Sequence, residues 1–195
     1  SLMKKYNLLP SELTPYIKEL QQLILKDDGF IPGVKNEDKK DLARSAKVSA
    51  SSFEDGYSPE NVINGVSRPT ETGENAWHSD GIRKEGEWLE FDLGQKKQIS
   101  KVQLTFDSGF SYPIRMTMSD NRRKQQRIGV PPELTKDFTV ELISEGKTVM
   151  TKSVTDNIYR MCRVEFQNVM CDTVKICFNK TNGAAEFRVF EVRLY

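Results

Sequence analysis

Residues 87–106 read EWLEFDLGQKKQISKVQLTF. The stretch contains two β-patterned runs, EWLEFDLG and ISKVQLTFD, and in the second Val102, Leu104 and Phe106 fall on one face of a strand with a period of two. The same texture starts at Lys47 and continues to the C-terminus in KVSASSF, YPIRMTMS, DFTVELIS, KTVMTKSV, YRMCRVEF, DTVKICF and EFRVFEVRLY. Phe138, Val140 and Leu142 share a face, as do Val174, Ile176 and Phe178. No helical pattern intervenes, so the runs predict an antiparallel sandwich or barrel and not a parallel α/β sheet. One insert, SDNRRKQQRIGVPPELTK at 119–136, breaks the rhythm.

Upstream the pattern differs. In SELTPYIKELQQLILKDDG, Thr14 is a helix N-cap, Pro15 takes the first helical position, and Ile17, Leu20 and Ile24 form a stripe widened by Leu13, Tyr16 and Leu23. That is more apolar surface than a free helix leaves in water, so the helix is expected to pack on something. The charged stretch FIPGVKNEDKKDLARSA reads as a linker with one short helical turn at Lys39 to Ala43. Residues 1–45 are therefore a helical linker and 46–195 a β domain.

A chain of 195 residues (22.3 kDa) can bury one sizeable core and carry an appendage. With 29 basic against 28 acidic residues the net charge is +1, so the global field argues for neither nucleic acid nor a membrane surface. No run of about 18 apolar residues could span a bilayer, and SLMKKYNLLP lacks an apolar stretch long enough for a signal peptide. Cys162, Cys171 and Cys177 are odd in number and sit inside strand patterns, which marks them as buried thiols and leaves the compartment undetermined.

Catalytic signatures are sparse. WHSD places His78, Ser79 and Asp80 side by side, but adjacent residues project apart and do not make a triad. No G-x-S-x-G, H-E-x-x-H, P-loop or G-x-G-x-x-G occurs, and His78 is the only histidine. A glycosidase needs only two carboxylates, and 28 acidic residues leave that alternative open. Arg122, Arg123, Lys124 and Arg127 could meet an anion, yet no aromatic is interleaved to stack a base, and a solvated loop is the better reading.

Four pieces in order carry a resemblance: VSASSFEDGYSPENVINGV, AWHSD, EWLEFDLGQKKQISKVQLTF and the closing FRVFEVRLY. Together they resemble the discoidin or coagulation-factor C-type domain (F5/8 type C), the galactose-binding-like jelly roll also found in family-32 carbohydrate-binding modules. The matching residues are Ser49 to Ser52, Pro59, Asn64, Gly65, Trp77, Trp88, Phe91 to Gly94 and Glu191 to Tyr195. The resemblance implies an eight-stranded all-β jelly-roll sandwich whose first and last strands lie together, with Trp77 and Trp88 in its core. It also implies a structural calcium where the N/D-G loop meets the closing strand. The ligands would be the backbone oxygens of Asn61 and Val66, the side chains of Asn64 and of Thr70 or Ser67, and Glu191, a hard-oxygen shell. Asn64 stands where the family more usually has aspartate, and the spacing to Thr70 is longer; a loop satisfied by its own Asn and Thr hydrogen bonds is the alternative.

Carbohydrate-binding relatives use loops at one end of the sandwich, where an aromatic face stacks on a sugar and His, Arg and Asn bind its hydroxyls. The implied candidates are His78, Arg83, Phe110, Tyr112, Arg115 and Asn182. The segment ELTPYIKELQQLILKDDGFIPGVKNEDKKDLARSAKVSASS further resembles the join between a catalytic domain and a C-terminal discoidin-like domain in bacterial FAD-dependent oxidoreductases, including those of gut Bacteroides-type organisms. The implied function is a non-catalytic accessory domain, carrying no flavin of its own, that binds glycan. A purely structural role, packing against the catalytic domain of its polypeptide, is the first alternative, and an enzyme activity the second.

Overall fold

The alternating runs form strands in a computed structural model that describes residues 35–69, 75–81, 86–109, 112 and 118–195. The strands are β1 (Lys47–Ala50), β2 (Trp77–His78), β3 (Glu87–Phe106), β4 (Thr135–Ser144), β5 (Lys147–Val154), β6 (Met161–Thr181) and β7 (Arg188–Leu194), with a short exposed helix α1 (Asp120–Lys124) before β4. Their order is β2-β7-β3-β6-β4-β5, with β1 added on β3. Every pairing is antiparallel.

Two long strands build both layers of the sandwich. The first half of β3, Glu87 to Asp92, runs beside β1 and beside Thr173 to Phe178 of β6; its second half, Lys97 to Thr105, runs beside Met161 to Cys171 of β6. The second half also pairs with β7. Between the halves the register shifts from Asp92 to Lys97, where Gly94 adopts φ 70° and donates its N–H to Asp92 Oδ1 at 2.8 Å. Such a bulge bends a strand without ending it. EWLEFDLG and ISKVQLTFD are thus one strand, and YRMCRVEF and DTVKICF are another. The architecture is the expected jelly-roll β-sandwich, with seven strands among the described residues where eight were expected. The first and last strands are not hydrogen-bonded to each other, since each pairs with a different half of β3. The expected strand YPIRMTMS lies largely outside the described residues.

The three predicted apolar faces close on one core. Val102, Leu104, Phe106, Phe138, Val140, Leu142, Val174 and Ile176 are fully buried and Phe178 nearly so. Phe106 meets Phe138 edge-on at 5.3 Å, while Phe178 lies 5.2 Å from Trp77 and 5.5 Å from Phe187. Each such ring contributes about 1.5–3 kcal/mol by leaving water. Trp77 is a core residue as expected, with its indole N–H donating to Ser52 O at 2.9 Å. Trp88 is not. It is half-buried on the outer face, with Lys175 Nζ 4.5 Å from its ring, because it alternates with the inward Leu89 and Phe91.

The compact β unit runs from Glu37 to Tyr195, so the last residues assigned to the linker belong to the domain. Asp41 caps the 3-10 turn Leu42–Ser45 and accepts the N–H of Leu194 at 3.0 Å, and Ala43 is fully buried. The helix expected at 11–29 lies outside the described residues. The cysteines are free thiols; Cys171 is buried while Cys162 and Cys177 are half-buried. Burial raises all three thiols, with Asp172 helping to push Cys171 up to about 11.

Candidate functional site

Where β3 ends, Asp107 turns the chain out of the sheet. Its Oδ1 accepts the N–H of Gly109 at 2.8 Å, and its Oδ2 lies 3.3 Å from Arg188 Nη1 on β7. Gly109, at φ 73°, lies in the left-handed region that glycine occupies without strain. A Cβ there would come 3.5 Å from Glu133 Oε2 and 3.7 Å from Arg127 Nη1, ordinary contact distances, so it is the backbone conformation and not the space that calls for glycine. The wall opposite comes from the insert before β4. Together Ser108, Gly109, Tyr112, Gln126, Arg127, Gly129 and Pro131 line a pocket of about 200 Å³.

Arg127 organises that pocket. Its guanidinium carbon lies 4.2 Å from the Tyr112 ring centroid, within cation–π range, and its Nη1 lies 2.5 Å from Glu133 Oε1. Burial by itself would raise the Glu133 carboxyl, but the hydrogen bond and charge of Arg127, aided by Arg188, hold it below its ordinary value. The Tyr112 hydroxyl donates to Gln125 O at 3.2 Å, which ties the ring to the insert while leaving it 37% exposed. An exposed aromatic beside a charged fork, a hydroxyl and an amide can stack on a ring and hydrogen-bond its substituents.

This changes the reading of the insert. Arg122, Arg123 and Lys124 do stand in solvent, with Arg123 paired to Asp120 across one turn at 3.1 Å. Arg127 instead folds back onto Tyr112 and Glu133. The sequence signal was the Pro131-Pro132 pair, which turns the chain so that Glu133 faces Arg127 six residues earlier. Ser108, Gln126 and Glu133 carried no signal of their own.

Of the six residues expected to contact ligand, Tyr112 lines the pocket and His78 and Asn182 do not. His78 is buried, 3% exposed, its ring stacked on Tyr57 at 3.8 Å and its Nδ1 3.7 Å from Glu54 Oε2. A sugar has no access to it, and the ring serves to hold the 54–57 turn. Asn182 spends its amide N–H groups on the backbone oxygens of Leu134 and Asn157, at 3.0 and 3.3 Å. Arg83, Phe110 and Arg115 lie outside the described residues.

The expected calcium ligands meet a crowded junction. Asn64 Oδ1 already accepts the N–H of Val66 at 2.8 Å, Val66 O accepts from Asn75, and the Asn64 amide donates to Asn75 Oδ1. Asn61 donates to Ala76 O at 2.8 Å. Glu191, on β7, is 2% exposed; its Oε2 lies 2.9 Å from Arg193 Nη2 and its Oε1 has no hydrogen-bond donor among the described residues. Arg160 reaches the same loop and donates to Ser67 O, with Arg68 nearby. Burial and Arg68 lower the Arg160 pKa, while Asp107 and Glu191 oppose that shift. Among the described residues no three carboxylate, histidine or cysteine side chains gather as metal ligands, and Thr70 lies outside them. Among the described residues the junction thus offers a single carboxylate flanked by guanidinium groups, with neighbouring oxygens already accepting N–H groups, a poorer donor set than the several free anionic or carbonyl oxygens a calcium ion takes.

A family model for the F5/8 type C domain matches residues 47–187. A fucose-binding module of Streptococcus pneumoniae superposes with a TM-score of 0.59 at 15% identity, covering 82% of this chain and 97% of that one. The lectin domain of lectinolysin, solved in complex with Lewis B antigen, gives a TM-score of 0.60 at 20% identity, covering 80% and 96%. The family 32 carbohydrate-binding module of C. perfringens NanJ, in complex with galactose, gives 0.55 at 16% identity, covering 80% and 97%. At these identities the likeness establishes the fold. No curated protein matches the chain in sequence.

Proposed function

The chain belongs to the F5/8 type C domain family, and from that premise we propose that it binds carbohydrate in the pocket beneath Tyr112 and Arg127. The observation that carries this reading is the Tyr112–Arg127–Glu133 arrangement, an exposed aromatic held beside a guanidinium that a buried carboxylate fixes in place. A sugar ring would lie against the apolar part of Tyr112, with Ser108, Gln126 and Arg127 offering hydrogen bonds to its hydroxyls. None of these groups is arranged as an acid and a nucleophile about a bond to be cleaved, so the role is binding. Glycan-bound neighbours such as the Lewis B and galactose complexes support the ligand class without fixing the sugar.

A finer part of the reading makes the domain an accessory to a catalytic partner on the same polypeptide, of the FAD-dependent oxidoreductase class. Its support is the resemblance of residues 12–52 to such a join. On this reading the isolated chain is colourless, and a flavin absorbance band in purified protein would overturn it.

The test of the binding role is a glycan array probed with wild-type chain and with Tyr112→Ala and Arg127→Ala. Reproducible capture of a narrow set of sugars, lost in both variants, supports the reading. Silence across the array would shift the role to domain packing.

A further inference from the structure

We propose that the guanidinium of Arg160 takes the place of a bound cation where the 58–69 loop meets β7, so that this domain holds that loop without calcium. The position is defined from both sides. On the loop, Arg160 donates to Ser67 O. On β7, Glu191 is one of the two carboxylates whose charge favours the Arg160 guanidinium, and the ring of Phe190 lies 5.8 Å from its guanidinium carbon. Its own backbone is fixed where β3 ends, since Arg160 O accepts the N–H of Phe106 at 2.8 Å.

The charges explain why a second cation is not needed. Glu191 is a carboxylate taken almost wholly out of water, which is unfavourable unless positive charge stands near it. Arg193 supplies one guanidinium at 2.9 Å and Arg160 brings a second that also reaches the loop, while Asp107 balances Arg160 from the end of β3. Among the described residues a divalent ion entering here would meet Arg160, Arg193 and the nearby Arg68, against the carboxylates of Glu191 and Asp107. Asn64 brings no charge to the junction and spends its Oδ1 on the N–H of Val66. Calcium would link oxygens of the loop to Glu191; here the side chain of Arg160, from the residue before β6, reaches the loop at Ser67 O while its charge lies within the field of Glu191.

The experiment is thermal melting of the chain with millimolar calcium chloride and with chelator, for wild type, Arg160→Gln and Arg160→Lys, together with calorimetric titration of the wild type with calcium. The expected results are a wild-type melting temperature unmoved by calcium or chelator and no stoichiometric binding heat. Arg160→Gln should melt roughly 3 to 10 °C lower, as expected for losing a half-buried charged donor in a domain of this size, and Arg160→Lys should recover part of the loss. A wild type that binds calcium stoichiometrically and melts higher with it overturns the proposal. Equal losses in the Gln and Lys variants overturn the role of charge. If Arg160→Gln does not fold, the wild-type titration still decides.

Discussion

The guanidinium of Arg127 lies 4.2 Å over the ring of Tyr112, and the two residues come from different arms of the loop region, fifteen positions apart. Neither is required by the core, since Tyr112 is 37% exposed and Arg127 is an exposed residue. Function and stability should therefore separate. Arg127→Ala and Tyr112→Ala are each expected to weaken glycan binding by about 10- to 100-fold, through a lost charged hydrogen bond and a lost stacking face respectively, while the melting temperature moves by no more than about 4 °C. Calorimetric titration with a sugar captured on the array, paired with thermal melting, checks both halves.

Glu133 holds Arg127 from behind, and its depressed pKa gives that brace a pH signature. A carboxyl depressed in the folded state takes up a proton more readily when unfolded. Its stabilising contribution is full above the ordinary carboxylate range and disappears as pH falls through the folded-state value. Arg127 is 43% exposed at its side chain, so solvent screening keeps the contribution below about 1 kcal/mol. Denaturant unfolding from neutral pH down to about pH 3 should show wild type losing more stability than Glu133→Gln. Parallel curves would remove the coupling.

The two tryptophans should behave in opposite ways. Trp77 is fully buried between Phe178 and the Ser52 carbonyl, so Trp77→Ala should cost about 3–5 kcal/mol. Trp88 lies on the outer face under Lys175 and loses mainly a partly wet ring contact, so Trp88→Ala should cost about 1 kcal/mol. Urea unfolding of both variants measures the difference, and equal losses would refute the assignment of faces.

That contrast shows what the sequence makes legible. Period-two alternation places Val102, Leu104 and Phe106 inside because it is a local property of a strand, and all three are buried. The same rule applied strictly puts Trp88 opposite Leu89 and Phe91, so its outward position was available from parity; the family pattern obscured it. The fusion of adjacent runs into β3 and β6 could not be read, because a bulge becomes a bend or a break according to the partner strand. The pocket was less legible still. Tyr112 was visible as an aromatic beside a turn, but Arg127 is brought to it by Glu133 and the Pro131-Pro132 turn, contacts that exist only after the loops fold. His78 carried the strongest chemical label in the chain and is spent on Tyr57.

Cys171 is wholly buried with its thiol pushed up to about 11, so its thiolate is scarce at neutral pH. Iodoacetamide at about pH 8 should leave Cys171 unmodified in the folded chain and alkylate it in denaturant. Mass spectrometry of the peptide containing it makes the comparison, and rapid labelling of the native protein would contradict its burial.

The Ser51-Ser52 pair explains a buried acid. Glu87 is fully buried, and both hydroxyls donate to its Oε2, Ser52 at 2.7 Å. Each hydroxyl also accepts a backbone N–H: Ser51 from Trp88 at 2.9 Å and Ser52 from Asp80 at 3.1 Å. Their protons are thus directed at the carboxylate, and the three side chains tie β3 to the segment after β1 and to the loop after β2. Replacing the acid by Gln turns one acceptor into a donor, and Ser52→Ala removes one donor and strands a backbone N–H. Each change should cost about 1–3 kcal/mol, the usual penalty for an unsatisfied buried partner. Because both act on one network, the double variant should lose clearly less than the sum of the single losses. Urea unfolding of the four proteins completes the cycle, and strict additivity would mean that the serines and Glu87 do not work as a unit.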